Sequence, residues 1–299
     1  MRSGNLKSYL NLHLIVFIWG FTAVLGDLIS IGDASLVWYR MLFAGIFILL
    51  YGLATGRKLL LPWKDIRKLI LVGFLIAIHW LFFFKAIKIS NVSITLAMFS
   101  MGAFFAAILE PIFFKRKMLW YEVLFGLLII AGLFTIMQVE VHYLMGMLCA
   151  LFSVFVGVMF TLCNGKLIKQ YDPVVISVYE FFSGFALISV YLGYEGTFSA
   201  KFFQLSGRDW IFILLLASVC TAYAFTSSVN VMKRLTPYTV MLTTNLEPVY
   251  GIVLAYFIIG GTEKMSLSFY IGATVILATV IANGVIKHYF GNRNSKPKT

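Results

Sequence analysis

The chain has 299 residues, of which 61% are hydrophobic and only 12% are charged. Soluble domains are about half apolar and a quarter charged, so this composition excludes an ordinary soluble protein and indicates an integral membrane protein. The net charge of +12 does not indicate a nucleic-acid partner, because the apolar stretches leave no room for a folded basic surface outside the membrane.

Ten mostly apolar stretches of about 20 residues follow one another along the chain. A helix of that length crosses a hydrocarbon core about 30 Å thick, and the alternating ten-residue pattern of a membrane barrel is missing from the sequence. The predicted spans 1 to 10 cover residues 9–31, 34–54, 66–88, 91–114, 119–138, 143–165, 173–193, 209–231, 236–259 and 266–288. We therefore predict an all-α integral membrane protein with ten transmembrane helices.

The two halves of the chain resemble each other. Residues 21–33 return at 160–172 with six of thirteen positions identical, and residues 88–94 correspond to 234–240. Each copy holds five predicted spans, and an odd number forces the second copy to cross the membrane in the opposite sense. Inverted repeats of this kind are common in secondary transporters. We predict a first five-helix repeat at 1–141, a second, inverted repeat at 142–289 and a polar cytoplasmic tail at 290–299.

The basic residues indicate an orientation in the membrane. With the N-terminus placed in the cytoplasm, eighteen of the 24 lysines and arginines fall on the cytoplasmic side and five on the other. Cytoplasmic loops are enriched in lysine and arginine. The distribution predicts a multi-pass protein of the bacterial inner (cell) membrane with both termini in the cytoplasm.

Several loose motifs occur in a specific order within this framework. Trp19 and Gly20 lie in span 1, Arg40 lies in span 2, and the run NLEPVYGIVLA (Asn245–Ala255) lies in span 9. With the paired five-span units, these motifs resemble the EamA branch of the drug/metabolite transporter superfamily over essentially the whole chain. The resemblance implies a ten-helix carrier that exports amino acids or other small metabolites through a central cavity, with spans 5 and 10 at its periphery.

Glu247 is the first candidate for a substrate or proton site, because it lies near the middle of span 9. A charge at this depth costs about 2.5–3.5 kcal/mol on insertion scales, so it is retained where it lines water, pairs or acts. Pro248 follows and tends to kink the helix, and Asn245 adds a polar group nearby. The alternative is a neutral, hydrogen-bonded structural glutamate at a packed kink.

Three further ionisable residues lie within predicted spans. Arg40 in span 2 and Glu180 in span 7 occupy nearly equivalent positions of the two repeats, and His79 lies in span 3. Arg40 suits bidentate carboxylate binding, and histidine titrates near neutral pH. The alternatives are outward snorkelling of Arg40 and a simple interhelical hydrogen bond for His79.

Aromatic residues make up 17% of the chain, and small-ligand pockets combine aromatic walls with a few polar groups. We expect such a wall from seven aromatic residues: Trp19, Trp38, Tyr39, Trp80, Tyr179, Tyr223 and Tyr250.

The inverted repeats predict a secondary transporter that works by alternating access, and the resemblance implies that it exports small organic solutes such as amino acids, with proton coupling left open. The four histidines lack metal-binding spacing, so we expect no cofactor, no metal and no enzymatic activity. A passive channel is the main alternative, and a membrane-embedded lipid-modifying enzyme is a weaker one. The expected partners are a small solute, membrane lipids and, if transport is coupled, protons, in a monomer or a homodimer.

Overall fold

The computed structural model describes residues 3–115 and 141–260, with isolated residues between 124 and 135 and between 266 and 282. Eight helical spans in this part of the chain are long and apolar enough to cross a membrane. These spans are Leu6–Leu28, Asp33–Ala54, Trp63–Ile89, Val92–Phe114, Val141–Leu167, Pro173–Tyr194, Gly207–Val231 and Pro237–Gly260. They correspond to predicted spans 1–4 and 6–9, and we keep those numbers.

Predicted spans 5 and 10 and the tail at 290–299 fall largely or wholly outside the described residues. The short apolar helix Tyr270–Thr279 coincides with part of span 10. The count of ten helices therefore remains a prediction. Because successive spans alternate in direction, we call the side on which span 1 begins the N-terminal face and the other side the opposite face.

Span starts follow local capping chemistry. Asp172 accepts a hydrogen bond from the Val174 amide at 2.9 Å, and Pro173 occupies the first turn of span 7, where its missing N–H costs nothing. In span 2, Gly32 is the N-cap and Asp33 is the first helical residue.

The helices approach one another closely where glycine removes a side chain. A Cβ on Gly20 in span 1 would lie 3.0 Å from the Gly251 nitrogen in span 9, and a Cβ on Gly157 in span 6 would lie 3.0 Å from His79 Nδ1. A Cβ on Gly73 in span 3 would lie 2.3 Å from the Glu180 carbonyl oxygen in span 7. Small residues at such crossings are typical of membrane helix packing.

The helix pairs obey the symmetry of an inverted repeat. Span 1 packs on spans 8 and 9, and its equivalent, span 6, packs on spans 3 and 4. Spans 2 and 7, which are equivalent to each other, pack together.

Spans 4 and 9 are both interrupted near their centres. Span 4 consists of Val92–Phe99 and Gly102–Phe114, and span 9 of Pro237–Thr244 and Glu247–Ala255. The repeat offset pairs Ser100 with Leu246, so the interruptions are equivalent. The kink expected at Pro248 is present as the break in span 9. The break in span 4 has no adjacent proline, so the sequence does not predict it.

Span 8 contains a π-helical segment, Ser218–Tyr223, between Gly207–Ala217 and Ala224–Val231. Such segments insert a residue into the helical register and often occur at functional sites. Here the segment rotates the side chains of Gly207–Ala217 about the helix axis relative to those of Ala224–Val231.

Candidate functional site

A cavity lies between the two repeats and receives side chains from spans 1, 2, 3, 4, 6, 8 and 9. It extends from the level of Arg40 towards the N-terminal face, where Met232 lies just beyond the end of span 8. The space open to the centre of a water molecule is about 80 Å³, enough for several waters. Its polar lining consists of Thr22, Arg40, His79, Thr161, Asn164, Ser228, Thr244 and Glu247.

Arg40 is buried inside the helix bundle, and part of its guanidinium group has no hydrogen-bond partner among the described residues. Its side chain is only 2% exposed, its Nε donates to Thr221 Oγ1 at 2.7 Å, and its Cζ lies 3.8 Å from the centroid of the Trp80 ring. Nη1 has no hydrogen-bond partner within the described part of the chain. Arg40 therefore does not snorkel outward, and its fixed guanidinium can accept a ligand.

The π segment of span 8 supplies the contact that positions Arg40. Thr221 donates its own hydroxyl proton to the Leu216 carbonyl at 2.7 Å, five residues earlier. Its oxygen remains free to accept from Arg40 Nε. The π segment of span 8 therefore helps to orient the guanidinium group of Arg40.

Glu247 brings the opposite charge into the same cavity. It is 6% exposed and begins the second half of span 9, where the helix dipole favours a negative group. Among the described residues, no ion pair within 4.0 Å joins Glu247 to Arg40. A cation and an acid therefore share the cavity without contacting each other directly.

Glu180 lies behind the cavity wall rather than on it. It is completely buried, and Asn164 Nδ2 donates to its Oε2 at 3.3 Å. Glu180 Oε1 and Asn164 Oδ1 have no hydrogen-bond partner among the residues that the structure describes. Since Asn164 lines the cavity, it connects Glu180 to the interior space.

His79 joins spans 3 and 6. Its Nδ1 lies 2.8 Å from the Ser153 carbonyl oxygen, and Ser153 Oγ donates to the His79 carbonyl at 2.7 Å. The ring lines the cavity as well. The interhelical hydrogen bond that the sequence left as an alternative is therefore present, and Nδ1 donates in the tautomer that this geometry favours.

The structure places only two of the predicted aromatic wall residues at the cavity. Trp19 and Trp80 line the cavity, whereas the other five candidates do not: Trp38, Tyr39, Tyr179, Tyr223 and Tyr250. The Tyr39 hydroxyl donates to the Phe202 carbonyl at 3.0 Å near the opposite face, and the Tyr179 hydroxyl donates to the Leu59 carbonyl at 3.0 Å near the N-terminal face. Tyr39 and Tyr179 therefore link helices to interhelical loops and do not contribute to the cavity wall.

Two other candidates lie where spans 1, 4 and 9 cross. Asn245 is 2% exposed, does not line the cavity, and has its Oδ1 3.9 Å from the position of a Cβ on Gly102. Tyr250 packs edge-on against Phe17, with the ring centroids 5.5 Å apart. Asn245 therefore lies where the two helix breaks approach each other.

Sequence reasoning missed the neutral polar lining that span 6 contributes. Thr161 and Asn164 follow Gly157 at helical spacing on one side of span 6, and all three line the cavity. A search for charges within spans passes over such residues. The recurrence of small or polar residues at intervals of three and four was the signal that could have found them.

Comparison with known proteins agrees with this architecture. The model of the EamA-like transporter family matches residues 6–138 and 144–284, one match for each repeat. The chain belongs to the EamA-like transporter family. The predicted resemblance is therefore confirmed, and the chain is a multi-pass membrane protein of the transporter type.

A solved structure with the same fold supports the assignment of the architecture. Its title reads only "Crystal structure of protein"; it is 16% identical in sequence, has a TM-score of 0.71, and aligns over 94% of this chain and 98% of its own. At that identity the likeness shows the fold alone. No curated protein was found to match the chain in sequence.

Proposed function

We propose that this EamA-family chain is a secondary carrier that exports small organic solutes, such as amino acids or related amphipathic compounds, by alternating access. One observation carries the proposal: Arg40, with an unpartnered Nη1, and Glu247 face one cavity between the repeats. Burying unpaired polar groups costs free energy, which a bound solute with complementary groups recovers.

Alternation between the two sides is supported by the equivalent breaks in spans 4 and 9. Irregular backbone within a bilayer is tolerated where it faces protein or a cavity, and broken spans at the repeat interface are a frequent feature of carriers. The cavity lining continues towards the N-terminal face, so this conformation would load solute from that side.

Counterflow in proteoliposomes tests the carrier function. A carrier loaded with unlabelled solute accumulates labelled solute transiently and saturably, whereas a passive channel only equilibrates it. The labelled solute would be chosen from compounds that raise the thermal stability of the purified protein, because ligand binding stabilises the folded state by mass action.

Arg40→Ala and Glu247→Gln should each reduce counterflow at least tenfold while the protein still purifies as a folded species. Arg67→Ala, at an exposed position on the N-terminal face, is the matched control and should transport normally. Unchanged transport in both cavity variants would refute the assignment of the site.

We also propose that Glu180 carries the proton if transport is coupled. A carboxylate buried without a cation costs several kcal/mol, and Asn164 supplies a single neutral donor. Glu180→Gln keeps the shape and the hydrogen-bonding capacity of a protonated acid. Counterflow should persist in this variant while solute accumulation driven by a pH gradient is lost, and gradient-driven accumulation equal to that of the parent would exclude the role.

A further inference from the structure

A second opening, separate from the central cavity, lies on the lateral surface between spans 2, 7 and 8. It is larger, with about 550 Å³ open to water-sized groups. The central cavity and this lateral groove share no lining residue, although span 8 borders both. The groove is lined by Phe47, Ile48, Tyr51, Arg57, Pro173, Val174, Ser218, Ala222, Tyr223, Thr226, Ser227, Asn230 and Lys233.

The groove exists because the two repeats differ at this point. Span 2 packs against Gly207–Tyr223 of span 8 but hardly touches Ala224–Val231. The equivalent pair, spans 7 and 3, packs so closely that a Cβ on Gly73 would meet the Glu180 backbone. The π segment lies where span 8 leaves span 2, so the separation begins in the middle of the span.

The length of the groove corresponds to one leaflet of a bilayer. The lining of span 8 extends from Ser218 in the π segment to Lys233 beyond its end, which is about 22 Å of helix at 1.5 Å per residue. Half of a bilayer with its headgroups is about 20–22 Å thick. The groove therefore begins at headgroup level on the N-terminal face and ends near the bilayer centre.

The charged lining residues are confined to one end of the groove, as the charge of a phospholipid is confined to its headgroup. Arg57 and Lys233 lie at the headgroup end, and Phe47, Ile48 and Ala222 lie deeper. None of the lining residues that the structure describes is an aspartate or a glutamate. Arg57 also pairs with Asp172, which is not part of the lining, in an exposed ion pair, so Lys233 is the basic group with the greater freedom to bind a ligand.

We propose that this lateral groove is a binding site for one anionic phospholipid of the leaflet at the N-terminal face. Lys233 and Arg57 bind its phosphate, and one acyl chain lies along Phe47, Ile48 and Ala222. Basic pockets between membrane helices recognise anionic headgroups through such contacts. The ligand is a structural lipid of this site, distinct from the solute of the central cavity.

Native mass spectrometry of the protein released from nanodiscs of equal phosphatidylglycerol and phosphatidylcholine tests the proposal. The parent should retain one phosphatidylglycerol in clear preference to phosphatidylcholine. Lys233→Gln should lower that preference about fivefold, since a basic residue near an anionic headgroup contributes about 1 kcal/mol. Arg67→Gln removes the same charge from the same face outside the groove and should leave the preference unchanged.

A second variant tests the acyl-chain part without changing the charge. Ala222→Trp should fill the groove and displace the retained lipid, with the unfolding temperature confirming that the variant is folded. Retention of phosphatidylglycerol in both Lys233→Gln and Ala222→Trp would overturn the proposal. Equal retention of the two phospholipids by the parent would also overturn it, because the groove would then hold any amphipathic molecule.

Discussion

At the scale of single residues, Arg40 shows how a costly side chain is made compatible with the membrane interior. Trp80 covers one face of the guanidinium at 3.8 Å, and Thr221 accepts from Nε at 2.7 Å. Cation–π contacts gain strength where water is excluded. These two contacts fix the side chain and direct the remaining donor groups towards the cavity.

Thr221→Val should therefore weaken solute binding without removing the charge. The substitution leaves Arg40 Nε without its acceptor, which costs about 1–3 kcal/mol for a buried group. We expect the solute concentration for half-maximal counterflow to rise about tenfold and the unfolding temperature to fall slightly. Concentration-dependent counterflow and a thermal unfolding curve measure the two effects.

Thr226→Val is the control for this substitution, because it makes the same change in the same span. The Thr226 hydroxyl is buried without a partner among the described residues and faces the lateral groove. Its loss should leave solute binding unchanged. If both variants bound solute like the parent, Thr221 would have no part in positioning Arg40.

At the scale of helices and their connections, each repeat has an aspartate at the start of one span that contacts an interhelical connection. We call these two contacts tethers, and they differ in burial. On the opposite face, Asp209 at the start of span 8 accepts from the Ser30 amide at 2.8 Å and the Ser30 hydroxyl at 2.6 Å. On the N-terminal face, Asp65 at the start of span 3 lies close to Tyr171 in the equivalent connection and pairs with Lys68 of its own helix at 3.0 Å. Asp209 is 3% exposed, whereas the Asp65 side chain is 25% exposed. We therefore expect the opposite face to be held closed more firmly.

Asp209→Asn should make the cavity more accessible from the opposite face. The variant loses the charge that strengthens both bonds from Ser30. The measurement is the rate at which a membrane-impermeant maleimide, added on the opposite face of sealed oriented vesicles, labels Thr22→Cys in a chain without its native cysteines. We expect a several-fold faster reaction.

Asp65→Asn is the matched control, since its tether lies on the other face and is exposed to water. It should leave labelling from the opposite face unchanged. A rate equal to that of the parent in Asp209→Asn would show that this tether does not keep the face closed.

At the scale of the whole molecule, the orientation remains a prediction from the charge distribution. An even number of spans places both termini on one side, and the basic residues favour the cytoplasm. A reporter fused to each end, active only in the cytoplasm, should be active in both fusions. Activity at one end alone would be incompatible with ten spans and with an inverted pair of five-helix repeats.

Sequence reasoning located the eight described spans to within a few residues, because bilayer thickness fixes the length of an apolar helix. It also selected Trp19, Arg40, His79, Trp80 and Glu247, which the structure brings to one cavity. Charges and large aromatics stand out within apolar runs, so these residues could be recognised without coordinates.

The direction in which each side chain points could not be recognised in the same way. Tyr39 and Tyr179 resemble wall residues in sequence, yet their hydroxyls bond backbone carbonyls of connections. Asn164 was overlooked although it joins Glu180 to the cavity. Local periodicity can show that a helix has a polar side, as in span 6, but which space that side borders is set by packing between distant spans and, in span 8, by the π segment.

Trp80 lies where its fluorescence can report whether the cavity is occupied. Its indole packs against the Arg40 guanidinium and stacks with the Phe181 ring, whose centroid is 5.5 Å away, and it also borders the cavity. Any molecule that draws Arg40 away from the indole changes the electric field around this chromophore. Its emission spectrum should therefore shift when the central chamber fills, which would allow unlabelled compounds to be screened by fluorescence.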